Sequence, residues 1–549
     1  MTQGRRRASA AAVCVLLAVI HTWPLALHPG RYSRNDNGDA QLNEWIMAWV
    51  AHQLPRDPAH LFEANIFYPA HDVLAFSEPL IVPALMGAPL AWAGASPVLV
   101  HNLVLLAGFA LTAFGGWWLI EAWTGDWIAG LLTGSAFAFN THTLTRLAHV
   151  QGVHIYGLAL VLLLADRLVR GGPRHDPSRL AFWMAVLAYT SGYLVVFASV
   201  MVGIALVTRL PEWRRRAGVT IFRFGIATVL AVLAILPVYL PYRRVARDQH
   251  MIRTLDIVKD YSATMKGYLA TAGRVHFSTW SGHFFKDPVD SFFPGFTILI
   301  LAVVAIAVAA RSRALRPRVL MLIVIAIAGV VLSLGTATPV YGWLFRIFPP
   351  MQGLRAAARF GNLFLLAVAV LGGLGLAAWR SGALGGVRLS AEGRRRVAIA
   401  LVILVNVESL RAPFEYREFT GIPGIYKLLA HEPGRVVLAE QPFFPRWAIF
   451  ENAPYVLNST AHWRPLMNGY SGYTPASYQQ YADAFWYFPE DWAITAMKNA
   501  GVTHVMVHPA RFGERDADAI VRRISARPDM ELVATEPGAR GIRLYRLKR

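Results

Sequence analysis

Cysteine is almost absent from this 549-residue chain, where Cys14 stands alone. No disulfide within the chain is possible, and no cysteine-based metal site is plausible. Acidic residues are also scarce: 33 Asp and Glu face 53 Lys and Arg, for a formal net charge of +20. Charged residues of both signs make up only 16% of the chain, whereas 55% is hydrophobic. No Walker-type phosphate loop, Rossmann fingerprint or Ser nucleophile elbow occurs, which argues against an ATP-driven transporter or an ordinary dehydrogenase. No repeat or low-complexity stretch is found. A basic excess of this size can signal nucleic acid. Here the arginines fall in clusters between apolar runs, as the positive-inside rule requires of short cytoplasmic loops, so no nucleic-acid partner is expected.

Long apolar runs recur and mark a chain embedded in a bilayer. Arg5-Arg6-Arg7 ahead of a run over about 8–28 reads as an uncleaved signal anchor with its N-terminus inside. Further spans are expected at about 97–120, 127–140, 150–168, 218–240, 292–310, 319–335, 357–379 and 396–411. Residues 179–208 must leave the cytoplasm and return, with Ser191-Gly192-Tyr193 as the turn between two short helices. Pro79, Pro83 and Pro89 and the charge parity of the loops make 78–95 a re-entrant or surface hairpin. The sum is a polytopic α-helical protein of about eleven transmembrane helices over 1–411, with outer loops at 30–76 and 241–291. From 412 to 549, short β-branched runs such as Val502 to His508 indicate a small α/β domain on the extracytoplasmic side.

The loop after the first span carries Asn35-Asp36-Asn37-Gly38-Asp39 and then Glu44, bringing three carboxylates to a membrane surface. Residues 41–54 have Leu42, Trp45, Ile46, Trp49, Val50 and Leu54 near helical spacing, which predicts an amphipathic helix lying on the outer face. Asp36 and Asp39 could orient or deprotonate an acceptor, or could belong to a solvated turn. Glu78, in Phe76-Ser77-Glu78-Pro79, is a carboxylate where the chain re-enters the membrane, and is either functional or a favourable charge in a first helical turn. His149 and Gln151, with His142 and Arg146 nearby, could bind a phosphate or a sugar hydroxyl. A metal is less favoured there than interfacial polar residues at a helix start. Arg355 and Arg359 lie one helical turn apart at an outer span mouth, where both could face one phosphate. Trp45 and Tyr193 complete the candidate substrate contacts. The aromatic, Gly-rich run from His462 to Tyr473 suits carbohydrate and packing alike.

Several of these motifs resemble the GT-C superfamily of polytopic glycosyltransferases, in particular a bacterial branch with a C-terminal soluble domain. They are Gly38-Asp39-Ala40 leading to Trp45 and Trp49, Phe67-Tyr68-Pro69 with Phe76 to Pro79, Phe137 to Asn140 with His149 to Gln151, and Arg355 to Phe360. The resemblance implies a polyprenyl-phosphate sugar donor, a glycan, lipid or protein acceptor, and an inverting transfer at the outer face of the bacterial inner membrane. It maps the catalytic acid onto Asp39 or else Asp36. The adjacent acidic pair of better-known members is missing, so the choice between the two stays open. No cofactor is implied, and a divalent metal is left open. The rival readings are a lipid-linked glycan flippase that uses the same arginines without bond cleavage, and a scaffold for envelope assembly.

Overall fold

The computed structural model describes residues 2–34, 38–249, 253–383, 389–513, 516–538 and 541–548. It divides into two compact units. One comprises residues 1–29, 102–238 and 252–415, the other residues 30–101, 239–251 and 416–549.

The first unit is helical and built around Gly361–Arg380. Gly372, Gly373 and Gly375 cluster in its second half, so neighbouring backbones approach closely. A Cβ at Gly375 would stand 1.9 Å from the Leu301 carbonyl oxygen, and one at Gly373 1.9 Å from Thr133 Oγ1. Helices without a water-driven hydrophobic force between them associate through such close packing. Phe296–Arg311, Arg316–Ser333 and Trp127–Ala138 pack against it, and 94% of its apolar window is buried. The helix within Leu210–Asp248 is the opposite case, with 22% buried. It turns Val219, Ile221, Phe222, Val229, Val232 and Leu233 outward, a surface suited to lipid. At other helix ends, buried Asp166 accepts from Arg209 Nη1 at 2.7 Å and Arg318 Nη2 at 2.9 Å. One carboxylate thereby joins three segments.

Among the described residues, five helices are long and apolar enough to cross a membrane: Pro97–Thr124, Val150–Val169, Leu210–Asp248, Arg316–Ser333 and Ala357–Arg380. Shorter apolar helices include Ile81–Trp92, Trp127–Ala138, Gly192–Thr208 and Phe296–Arg311. The protein is a polytopic helical membrane chain, and eleven crossings is a finer statement than these lengths carry. The break expected at Ser191 falls between helices Asp176–Thr190 and Gly192–Thr208, where the Ser191 side chain caps the second by accepting from the Tyr193 N–H. Ile81–Trp92 has 12 residues, about 18 Å of helix, too short for a hydrocarbon core of about 30 Å.

The second unit holds a four-stranded sheet in the order Leu438–Gln441, His504–Val507, Arg543–Leu547, Met530–Thr535. The first pair is parallel and the other pairs antiparallel. The expected outer loop falls in this same unit, and Tyr32–Ser33 pairs with Arg417–Glu418. The helix predicted at 41–54 is present as Asp39–Gln53, but the surface placement is corrected. Ala40, Asn43, Glu44, Trp45, Met47, Trp49 and Ala51 are all buried, and only Asp39, Gln41, Ala48, His52 and Gln53 are partly accessible. Ile81–Trp92 and Ala453–Asn458 cover it. Trp45 Nε1 donates to Asn65 Oδ1 at 3.3 Å.

The close approach at Gly375 yields a prediction. Gly375→Leu forces a side chain into the Leu301 carbonyl and should destabilise the protein by ~3 kcal/mol or more. Gly225→Ala, in helix Ala217–Asp248 with nothing within 4 Å of its added Cβ, should be neutral or slightly stabilising. Thermal unfolding of both variants in detergent distinguishes them, and equal midpoints would remove the close-packing argument.

Candidate functional site

A cavity lies in the first unit. Three separate stretches build it. The first is Asn140 to Gly152. The Asn140 side chain caps the short helix Thr141–Leu144 by accepting from the Thr143 N–H at 3.0 Å. The chain then turns, with the His149 N–H donating to the Arg146 carbonyl at 2.9 Å. This brings His142, Arg146, His149 and Gln151 to one wall. The second stretch is the helix break at Ser191, which presents Ser191, Tyr193 and Phe197. The third is the turn ahead of Gly361–Arg380, which presents Arg359 and Asn362.

Tyr193 ties the second stretch to the third. Its hydroxyl accepts the backbone N–H of Arg355 at 3.0 Å and of Ala356 at 2.9 Å. The Arg359 guanidinium lies over its ring, 4.5 Å from the centroid. Arg355 lies over the ring of Tyr261 at 5.2 Å. An aromatic face thus lies beneath each arginine and helps to orient its guanidinium.

The electrostatics are one-sided. Burial, then Arg146, Arg359, Arg355 and His142, hold His149 well below the ordinary imidazole range. Burial, then Arg146 and Arg359, do the same to His142, whose ring stacks on Phe292 at 4.6 Å. Both imidazoles are neutral at pH 7. The cavity therefore combines arginine cations with neutral ring nitrogens and amides, a donor set suited to an anion and opposed to a second cation. It also has acceptors to spare. Gln151 Oε1, Asn362 Oδ1 and His142 Nδ1 are buried without a hydrogen-bond partner among the described residues. Buried polar atoms of this kind are normally satisfied, so they suit a ligand that brings hydroxyl donors.

Arg359, His149, Gln151 and Tyr193 of the expected site line this one cavity, and Arg355 stands beside it in charge range of His149. Arg146 and His142, which sequence reasoning noted only as neighbours of His149, belong to the same wall. Asn362 was missed; its position three residues after Arg359 on a helix start was the available signal.

The remaining candidates lie in the second unit. Asp39 is the first residue of helix Asp39–Gln53 and accepts from Tyr470 Oη at 2.6 Å. Gly38 ahead of it has φ of +92°, and a Cβ there would stand 2.6 Å from Ala453 Cβ, so the turn that delivers Asp39 needs glycine on both counts. Asp36 lies outside the described residues. Trp45 is buried within the helix and stacks on Trp49. Glu78 is half-buried, two residues before Leu80, which caps Ile81–Trp92. Glu44, expected at a membrane surface, is 1% exposed. It accepts from Ser33 Oγ at 2.9 Å, while its other oxygen is buried without a partner among the described residues.

No protein-family model matches the chain, and no curated protein matches it in sequence. Solved structures do match. Arabinofuranosyltransferase AftD from mycobacteria is similar over 99% of this chain and 40% of its own, at TM-score 0.58 and 18% identity. The present chain thus spans about two fifths of that protein's length. Archaeal oligosaccharyltransferase AglB from Archaeoglobus fulgidus matches over 96% of this chain and 73% of its own, at TM-score 0.43 and 12% identity. ArnT from Cupriavidus metallidurans matches over 98% and 97%, at TM-score 0.39 and 14% identity. The likeness to AftD is one of fold.

The burial of Glu44 has a measurable consequence. Desolvation pushes its carboxyl from 4.5 up to about 8, against the smaller opposing effect of the Ser33 hydrogen bond. The folded chain then keeps a proton that the unfolded chain releases, so stability falls as pH rises from about 4.5 to about 8 and levels above that. Glu44→Gln mimics the neutral form. It should gain up to about 5 kcal/mol over the wild type at pH 8 and almost nothing at pH 4. Denaturation midpoints across that pH range check this, and parallel pH profiles for the two proteins would contradict it.

Proposed function

We propose that the chain is a membrane glycosyltransferase that moves one sugar from a polyprenyl-phosphate donor to an envelope glycan, lipid or protein on the outer face of a bacterial inner membrane. The observation that carries this reading is the cavity itself, where arginines and unpartnered buried acceptors line the same space. Arginines suit the phosphate, and Gln151, Asn362 and His142 suit the hydroxyls of an attached sugar. The GT-C-like fold supports it.

In the reaction, an acceptor oxygen attacks the anomeric carbon and the bond from that carbon to the phosphate oxygen breaks. The bonding electrons leave with the phosphate, and Arg146, Arg355 and Arg359 stabilise the charge that develops there. Tyr193 keeps Arg355 and Arg359 in place, which spares reorganisation during the step. His149 stays neutral between the arginines and donates or accepts a hydrogen bond without adding charge. The acceptor proton goes to a carboxylate. Asp39 is assigned that role, with Asp36 assisting, on the resemblance of the Gly38-Asp39-Ala40 loop to the superfamily. Glu78 is assigned to the acceptor, and Trp45 acts by packing the helix that Asp39 begins. Eleven crossings with the C-terminal region outside complete this reading, with spans near 218–240 and 292–310 beside the prenyl tail.

Reconstituted protein should transfer label from at least one member of a panel of radiolabelled polyprenyl-phosphate monosaccharides to crude envelope acceptor. Asp39→Asn should lower the transfer rate by ~100-fold or more with donor binding retained. Arg359→Gln should weaken donor binding by about tenfold or more. Donor binding without transfer, equal in wild type and Asp39→Asn, would replace the enzyme with a carrier of lipid-linked glycans.

A further inference from the structure

A second cavity lies in the first unit, lined by Gln3, Arg6, Arg7, Trp117, Trp118 and Glu121. Nothing in the transfer reaction calls for it. It is formed where the start of helix Gln3–His21 meets the end of Pro97–Thr124. Arg6 is fixed by Glu121 at 3.0 Å and by the Gly125 carbonyl at 2.8 Å. Its own carbonyl accepts from Trp127 Nε1 at 3.0 Å. Arg7 lies over the Trp118 ring, 5.1 Å from the centroid, and no carboxylate pairs with it among the described residues. Two guanidinium groups therefore face one carboxylate, and a positive charge is left over. Trp117 also lines the cavity, is 1% exposed, and its indole N–H has no hydrogen-bond partner. The opening turn of a 19-residue helix adds its own attraction for an anion.

We infer that this cavity binds the phosphate headgroup of an anionic membrane phospholipid. The helix faces beside it favour a lipid over a soluble phosphate. Val15 follows Arg7 by eight residues on one helix, and Leu111 precedes Trp118 by seven on the other, so each shares a face with its cavity residue. Val15, Leu111 and Trp118 are all exposed. An acyl chain attached to a headgroup in the cavity would run along these side chains. Arginine at the membrane boundary with an adjacent tryptophan is the chemistry that anionic headgroups select. The site differs from the cavity around Arg359 in its residues and in its carboxylate, so its occupancy is independent of the donor.

Native mass spectrometry and thermal unfolding of the full chain test the inference, with phosphatidylglycerol, phosphatidylcholine or inorganic phosphate added. Wild-type protein should retain phosphatidylglycerol adducts and gain thermal stability from that lipid, with no comparable effect of phosphatidylcholine or phosphate. Arg7→Gln should lower adduct occupancy roughly fivefold, and Trp118→Ala should lower it as well. Arg395→Gln, on an exposed surface with no cavity, should leave it unchanged. Equal occupancy in Arg7→Gln and Arg395→Gln would overturn the assignment. Stabilisation by inorganic phosphate alone would overturn its lipid source. If Arg7→Gln fails to fold, Trp118→Ala and the competition between lipids still decide.

Discussion

The hydroxyl of Tyr193 is the contact on which the cationic cavity depends. It takes two successive backbone N–H groups, those of Arg355 and Ala356, and so fixes the turn that displays the arginines. The ring of the same residue supports Arg359. One side chain at a helix break thus does two jobs: it satisfies buried backbone donors that would otherwise cost free energy, and it gives a cation a neutral neighbour.

Crowding cations around neutral imidazoles is unfavourable in an empty cavity. Such an arrangement persists only where the surrounding packing over-determines it. The glycine-lined contacts of Gly361–Arg380 supply that rigidity in the same unit, directly behind Arg359 and Asn362. The second unit meets the opposite difficulty in Glu44, a carboxyl buried without a cation. There the solution is protonation rather than pairing. In both cases a polar group withdrawn from water is kept neutral or kept for a ligand, and the fold bears the cost.

Much of this was legible in the chain. His149 with Gln151 and the break at Ser191 could be read from spacing and residue type, because local turns decide them. The helical turn expected between Arg355 and Arg359 is instead a non-helical stretch, Leu354 to Ala356, ahead of a short 3-10 turn. The convergence of these stretches could not be read, since it joins 142–155 and 191–197 to 359–362. Asn362 was missed although it stands three residues after Arg359 at a helix start. The helix at 41–54 was read correctly as a helix and wrongly as a surface one. Its apolar spacing does mark a buried stripe, but burial of Asn43 and Glu44 depends on Ser33, Ile81–Trp92 and Ala453–Asn458, partners that no local pattern announces.

Chain order adds a temporal side to the Tyr193 contact. The walls contributed by residues 142–197 are synthesised well before Arg355, Arg359 and Asn362, and until those follow, Tyr193 has no backbone N–H groups to receive. A nascent chain that has emerged only as far as residue 350 has no arginine pair at this cavity and no core helix to brace it. The cavity is therefore completed late in synthesis, by the same segment that locks the unit's core.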